Sequence, residues 1–165
     1  MKKIIVSLLM LLPLGLVAQD LKIAVVNTNE ILATMPEAIE MQRQLQSIAA
    51  QYQEEFKTLE EDFNRKYNDF MAQGDTLNEN IRMRRLQDVQ EMQAKLENFY
   101  PSAQEELAKK QEELLTPIRT KVQKAISEVG EEGSYTYILD PQTIHYIGNS
   151  AVEVTEKVKA KLGIK

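Results

Sequence analysis

The feature that most constrains this fold is a pair of long helical patterns separated by a single break. From Pro36 onward, apolar residues recur at alternating steps of four and three, which is typical of a helix that packs along one narrow seam. The members of this first seam are Leu45, Ala49, Tyr52, Phe56, Leu59, Phe63 and Phe70, with Lys66 as the one polar departure. Because charged and amide side chains fill the other positions, the helix needs a partner for one side only.

A second helical pattern follows Gly74, where the first helix is predicted to end with a glycine just past its last turn. Thr76 and Glu79 have capping-box spacing, so they predict the start of the next helix, and Thr34 and Glu37 predict the start of the first in the same way. Its apolar positions are Leu77, Ile81, Val89, Met92, Leu96, Phe99, Ala103, Leu107, Leu114, Ile118, Val122, Ala125 and Val129, and Gly130 is expected to end it. The short connection predicts an antiparallel hairpin, an arm over residues 36–129 with its tip near 74–76.

The two ends of the chain predict a small β body, over residues 19–35 and 130–165. Residues 21–27 are predicted to form a strand buried on both faces, followed by a short helical turn. Residues 134–140 and 143–148 alternate in the manner of strands and flank Asp140-Pro141, so we expect them to form a β-hairpin. The fold class is therefore α+β, mostly α, with the helical hairpin projecting from the body.

A last short helix is expected in this body, capped by Ser150 and Glu153 and ended by Gly163. Its apolar residues Val154, Val158 and Leu162 would then face inward.

This body is expected to be only marginally stable alone, because about three strands and one helix bury little apolar surface. We expect the ends of several chains to share one core, although a monomer held by hairpin packing alone remains the alternative. The residues expected at that interface are Ile23, Val25, Tyr135, Tyr137, Leu139, Ile144 and Tyr146.

The first eighteen residues have the composition of a secretory signal peptide, with two lysines, an apolar run of about a dozen residues and Ala18 at the expected cleavage site. A membrane anchor is the alternative, but the run is shorter than the roughly 20 residues that span a bilayer. We therefore expect an exported protein. Without the two lysines, 18 basic residues face 25 acidic ones, a net charge of −7 that argues against nucleic-acid binding.

The sequence offers little support for an enzyme. His145 is the single histidine, cysteine is absent, and no phosphate-binding loop is present. We expect neither a cofactor nor a metal site, since no cluster of His and Cys has ligand spacing.

The predicted tip concentrates positive charge. Between residues 64 and 86 there are five basic and three acidic residues, a net charge of +2 on an acidic protein. If the hairpin turns near Asp75, Arg65 and Lys66 lie across from Arg84 and Arg85, with Arg82 nearer the tip. We interpret this patch as attractive to acidic segments of partners or to membrane headgroups. The alternative is a set of charge pairs three or four residues apart that support the helices.

Two further features of the arm suggest functions. Met71 and Met83 are expected to be exposed near the patch, where adaptable thioether side chains suit contact with unfolded chains; Phe70 belongs to the seam. Pro101 and Pro117 fall inside the second helix, opposite about residues 49 and 33 by the same count. Since a proline removes a backbone hydrogen bond, we expect Pro117 to be a hinge and Pro101 a kink, with a static bend as the alternative.

The order of these segments resembles one known family. The first strand region KIAVVNTNEIL, the charged hairpin, and the final block YTYILDPQTIHYIGNSAVEVTEKVKAKLG together resemble the Skp/OmpH family of periplasmic chaperones over essentially the whole mature chain. The well-known members are strongly basic, whereas this mature chain is acidic.

The resemblance implies a homotrimer in which strands of three chains form a shared barrel and three arms surround a cavity. It also implies binding of unfolded outer-membrane proteins without ATP. A structural coiled-coil adaptor of an envelope secretion or efflux assembly is the alternative function, although such adaptors carry larger β domains.

Overall fold

The structure, a computed structural model, describes residues 21–73 and 76–164. The expected signal peptide, residues 1–18, and the expected helix stop at Gly74 lie outside the described residues. Within the described part of the chain, no helix is long and apolar enough to cross a membrane.

Most of the chain lies in two long helices, with a small body made from the ends. In chain order the elements are β1 (Ile23–Val25), α1 (Thr28–Thr34), α2 (Pro36–Gln73), α3 (Glu79–Gly133), β2 (Tyr137–Leu139), a 3₁₀ turn (Pro141–Thr143), β3 (Val152–Glu153) and α4 (Thr155–Leu162). Helix α2 has 38 residues and α3 has 55, which correspond to lengths of about 57 and 82 Å. The expected long helical hairpin and small body are therefore present.

The predicted caps at the helix starts are wrong. Thr34 is the last residue of α1, and its hydroxyl donates to the Glu30 and Ile31 carbonyls of the same helix. The Thr76 hydroxyl donates back to the Gln73 carbonyl. Asn78 caps α3 instead, with its side-chain oxygen accepting from the Ile81 backbone N–H at 3.0 Å. Asn and Thr are both favoured N-cap residues, and the capping-box spacing of Thr76 and Glu79 pointed to the wrong one.

Helix α3 also ends later than expected. It continues through Gly130, where an added Cβ would meet Ile138 of β2 at an ordinary 3.5 Å, and it runs to Gly133. Ser134 then takes the left-handed conformation with φ of 49°. Helix α4 does end at Gly163, with φ of 73°, where glycine avoids the Cβ penalty of that conformation.

The two arm helices pair in a register centred on position 79. Lys121 binds Glu37, Tyr52 binds Glu106, and Arg85 binds Gln73. Each of these three pairs is equidistant from Glu79, which is four residues beyond the turn expected at Asp75. The predicted facing positions are therefore wrong by about two helical turns.

The body is a three-stranded parallel sheet in the order β2–β1–β3. The expected β-hairpin of residues 134–140 and 143–148 is wrong, because the chain leaves β2 through the 3₁₀ turn and returns only at β3. Asp140 directs this turn: its carboxylate accepts from the Gln142 backbone N–H at 3.0 Å and from the Thr28 backbone N–H and hydroxyl. The expected cap by Ser150 is also wrong, since α4 begins at Thr155.

The core lies between the inner face of this sheet, the helices α1 and α4, and the root of the arm. The largest fully buried side chains are Ile31, Met35, Val154 and Val158. Ile118, Val122, Ala125 and Val129 of α3 complete this core. Val154 and Val158 thus face inward as expected, and Leu162 packs against the same cluster.

Candidate functional site

The end of the arm is a single helix rather than a pair. Arg85 Nη1 donates to Gln73 Oε1 at 3.2 Å, and Gln73 is the last residue of α2. The first six residues of α3 therefore extend beyond that point. Ile81 lies eleven residues, or about three turns, before the buried Met92, so it has the phase of the seam. It is nevertheless 43% exposed, because α2 does not reach it.

Two of the five predicted cations are engaged by carboxylates three residues away. Arg65 binds Asp62 at 2.6 Å, and Arg82 binds Glu79 through two nitrogens at 2.8 and 3.0 Å. The hydrogen bond from Arg82 lowers the pKa of Glu79. These pairs are solvent exposed and so contribute little stability. They correspond to the helix-supporting alternative.

The structure brings Lys66 and Arg85 together in one groove of about 210 Å³, between α2 and α3. Asp69 and Asp88 line the same groove. Extending the patch by two residues at each side, from 62 to 88, adds Asp62 and Asp88 and leaves five acidic residues against five basic ones. The end of the arm is thus neutral overall between residues 62 and 88, and Lys66 and Arg84 are two separate exposed cations within it.

Lys66 and Arg84 differ from the other three cations. Their side chains are exposed and make no ion pair or hydrogen bond with any residue in the ranges 21–73 and 76–164. They do not face each other, since Arg84 precedes the Gln73–Arg85 pair and Lys66 lies two turns back along α2. They are the cations most available to a partner.

Apolar side chains are exposed at the same end of the arm. Met71 and Met83, expected to be accessible, are 64% and 52% exposed, and Tyr67 adds a further exposed ring. Phe70 is only half-buried. Exposed apolar groups interleaved with unpaired cations can contact both apolar and acidic parts of an extended chain.

Aromatic rings from both helices pack together in the middle of the arm. Phe56 lies 5.6 Å from Phe99 and 4.5 Å from Tyr100, measured between ring centroids. Tyr52 packs edge-on against Phe99 and donates its hydroxyl to Glu106 at 2.7 Å. Pro101, the predicted kink, directly follows this cluster and lies opposite about position 57, not 49. Helix α3 continues through it.

Pro117 has different surroundings. It lines an apolar groove of about 390 Å³ together with Met35, Met41 and Leu114. It lies opposite Met41, not residue 33, which places it at the root of the arm. Helix α3 continues through Pro117 as it does through Pro101, so the hinge at Pro117 stays a prediction.

The outer face of the sheet is apolar and partly exposed: Val25 of the central strand is only 6% exposed. Ile23 pairs with Tyr137, and Val25 with Leu139, so these four side chains share the face that does not contact the core. Tyr137 and Leu139 are exposed, and Tyr146 in the loop after the sheet is 84% exposed. Ile144 is half-buried in the same loop.

Tyr135 does not belong to this face. It packs against the core, with Lys22 Nζ 4.5 Å from its ring centroid and Lys157 Nζ 5.9 Å away. Lys22 also donates to the Gly133 carbonyl at 2.6 Å, at the end of α3. Tyr135 therefore closes the body around the end of the arm.

Three groups of important residues were missed in the sequence. Ile81 was assigned to the seam because its phase is right, and only the stagger of the helices exposes it. Asp62 and Asp88 lie just outside residues 64–86, the range that has a net charge of +2. Tyr100 directly follows the seam residue Phe99, yet its ring packs against Phe56 of the other helix. His145 is exposed in the loop, and within the described residues no three His, Cys, Asp or Glu side chains form a metal-binding group.

Comparison with known proteins identifies the family of this arrangement. Residues 22–162 match the model of the family described as outer membrane protein (OmpH-like). The chain belongs to the OmpH-like family. Two relatives are both chaperone protein Skp. That of Yersinia enterocolitica is 24% identical over 144 residues, covering 86% of this chain and 88% of the relative, and that of Pectobacterium atrosepticum is 23% identical over 141 residues, covering 84% and 86%.

The OmpH-like fold is also found in a solved structure. A Caulobacter crescentus protein assigned as an OmpH-like outer membrane chaperone superposes with a TM-score of 0.72 at 13% identity, covering 85% of this chain and 82% of that one. At this identity the likeness concerns the fold, including the arm and the body together.

Proposed function

We propose that this protein is a periplasmic holdase chaperone that binds unfolded outer-membrane proteins without ATP and prevents their aggregation. The family match and the two chaperone relatives support the general role. The arm is the structural observation that carries the proposal. Beyond the root, the two helices pack only along their shared seam, so their flanks and end are surface that the fold itself does not need.

The client surface is the end of the arm. Met71, Met83 and Ile81 offer apolar contact, and Lys66 and Arg84 attract acidic segments. Each contact is weak because it is solvent exposed, so capture depends on several arms acting at once. The same cations serve for transient contact with anionic membrane headgroups.

Several arms are provided by a homotrimer assembled through the body. The apolar face of Ile23, Val25, Tyr137 and Leu139 is exposed at Tyr137 and Leu139. Together with Tyr146, these exposed side chains are suited to a shared core. Strands β2 and β3 are the outer strands of the three-stranded sheet, and unpaired outer edges readily pair with another chain. A barrel closed by three such sheets removes these edges and leaves three arms around a cavity.

The test combines mass with an aggregation assay. A urea-denatured outer-membrane barrel protein is diluted into buffer with the mature chain, and light scattering is followed with and without ATP. We expect suppression of scattering that ATP does not change, by a species whose native mass is that of three chains. Scattering equal to that of the client alone contradicts the proposed function.

A body variant provides the matched control. Tyr137→Glu with Leu139→Glu places charges on the open sheet face and leaves the arm unaltered. We expect monomers with a folded arm, seen as retained helical circular dichroism, that suppress scattering poorly. A trimer that persists in this variant contradicts the proposed interface but leaves the holdase function open to the first test.

A further inference from the structure

Sulfur in this chain is confined to methionine. The sequence has seven methionines and neither cysteine nor tryptophan. Met1 and Met10 lie outside the described residues. Thioethers are therefore the principal groups in the remaining chain that a mild two-electron oxidant can convert.

The five described methionines fall into two groups with different locations. Met35 is 1% exposed in the core of the body and Met92 is 9% exposed in the arm seam; Met41 is half-buried against the core. Met71 and Met83 are 64% and 52% exposed. The two exposed thioethers therefore lie on the last turns of α2 and the first turns of α3, at the end of the arm.

Neither exposed methionine contributes to the seam. Met83 lies nine residues, or two and a half turns, before the buried Met92, so it is on the opposite side of α3. Met71 directly follows the seam residue Phe70 and is turned away from it. A polar atom added to either sulfur would meet water rather than a buried neighbour, so the helices would keep their packing.

We infer that Met71 and Met83 form a methionine oxidation site that switches the arm end from an apolar to a polar surface. A peroxide or hypochlorous acid transfers one oxygen atom to each Sδ. The sulfur is oxidised by two electrons to a sulfoxide, while the peroxide is reduced to water or the hypochlorous acid to chloride and a proton. The consequence for client release rests on the proposed function.

The sulfoxide changes the surface in a defined way. It replaces a polarizable apolar group by a strong hydrogen-bond acceptor, so contact with apolar segments of an unfolded chain loses its driving force. The charged groups Lys66 and Arg84 are unaffected. Oxidised arms should thus hold clients less tightly and in a more salt-sensitive way. Because methionine sulfoxide is reducible by a dedicated class of enzyme, the change is reversible.

The first experiment maps the site without any client. The mature chain is treated with a graded series of hydrogen peroxide, and sulfoxide at each methionine is quantified by peptide mass spectrometry. We expect Met71 and Met83 to react at least about tenfold faster than Met35 and Met92, because reactivity follows exposure. The proposed site is wrong if all five methionines are oxidised at similar rates, or if the protein unfolds when the first two are oxidised.

The second experiment measures the effect on clients. Wild type and the Met71→Leu/Met83→Leu variant are each compared before and after peroxide in the light-scattering assay. We expect oxidation to weaken the wild type several-fold and methionine sulfoxide reductase to restore it, whereas the double variant should respond little to peroxide. Met41→Leu, which removes a thioether at the root, should respond as the wild type does.

The outcomes separate the two proposals. If untreated wild type fails to suppress scattering, the proposed function fails while the mapping result still stands. If untreated wild type suppresses scattering, and full oxidation of Met71 and Met83 leaves that suppression unchanged, the switch is wrong and the holdase function is retained.

Discussion

Arg85 donates a hydrogen bond to Gln73, and this contact joins the seventh residue of one arm helix to the last residue of the other. The pairs Tyr52–Glu106 and Lys121–Glu37 have the same register, so the three contacts together define the stagger of the hairpin. The stagger leaves the start of α3 without a partner helix. Exposure at the arm end is thus a consequence of register, and not of a break in the apolar pattern.

The stagger predicts unequal costs for two apolar truncations in α3. Ile81→Ala should change the free energy of unfolding by no more than about 0.5 kcal/mol, as for a surface substitution. Met92→Ala removes a buried side chain and should cost about 2–5 kcal/mol. Urea unfolding at one protein concentration compares them. Equal losses would mean that the connection between the helices covers Ile81.

The two prolines should differ in their effect on arm motion. Pro117→Ala restores a helix hydrogen bond at the root of the arm and should narrow the range of arm positions. Pro101→Ala should change this range little, because the Phe56 cluster already holds that level of the arm. Spin labels at Gln142→Cys in the body and Gln90→Cys in the arm report the distance distribution in this cysteine-free chain. A narrower distance distribution with Pro101→Ala alone would mean that the arm bends at Pro101 and not at Pro117.

The unpaired cations should matter more for clients than the paired ones. Lys66→Glu with Arg84→Glu should weaken client capture several-fold at low salt, because it repels acidic segments. The difference should shrink at about 0.5 M salt, where exposed charges are screened within a few ångströms. Arg43→Glu with Lys109→Glu makes the same charge change nearer the root and serves as the control. Equal weakening by both pairs would indicate a general effect of net charge.

Asp140 should make the body sensitive to acid. Burial alone would raise the pKa of Asp140, but hydrogen bonds from the Thr28 hydroxyl, the Gln142 N–H and the Thr28 N–H outweigh it and lower that pKa. A lowered folded-state pKa means that this stabilisation is complete above the ordinary aspartate value of ~3.9 and is lost as pH falls through the folded value.

Asp140→Asn tests this contribution. The amide loses the charge-assisted bonds, so the free energy of unfolding at pH 7 should fall by about 1.5–3 kcal/mol. The variant and the wild type should converge as pH falls through the lowered folded-state pKa of Asp140, where the wild-type carboxyl becomes protonated too. Denaturant unfolding across the acid range measures both effects. A difference in the free energy of unfolding that stays constant throughout the acid range would assign the loss to packing instead of charge.

The arm could be predicted because its information is local. Heptad spacing from Leu45 to Phe70 reports which side of α2 is buried, without reference to any distant residue. The register could not be predicted, because it depends on where two helices stop and start, and Thr76 and Asn78 are both suitable caps. An error of four residues at the turn displaces every facing pair by twice that amount.

The body was predicted less well than the arm, because its structure depends on contacts between residues that are distant in sequence. Residues 143–148 have strand-like alternation, yet the Asp140 carboxylate binds Thr28 of α1 and draws the chain into a 3₁₀ turn. That contact joins positions more than a hundred residues apart, which no local pattern reports. The candidate site followed the sequence where the information was local, as in the exposure of Met71 and the pairing of Arg65 with Asp62 three residues away. It departed from the sequence at Ile81, whose exposure depends on the stagger of the two helices.

The parallel sheet has a consequence for the order of folding. Its central strand is β1, near the start of the chain, and both flanking strands come from beyond residue 136. Closing so long a loop in a flexible chain is slow. We expect α2 and α3 to pair before the strands, because this pairing brings the two ends of the body together and shortens the search. The helical hairpin would thus hold the two ends of the chain together while the sheet forms, in addition to projecting from the body as the arm.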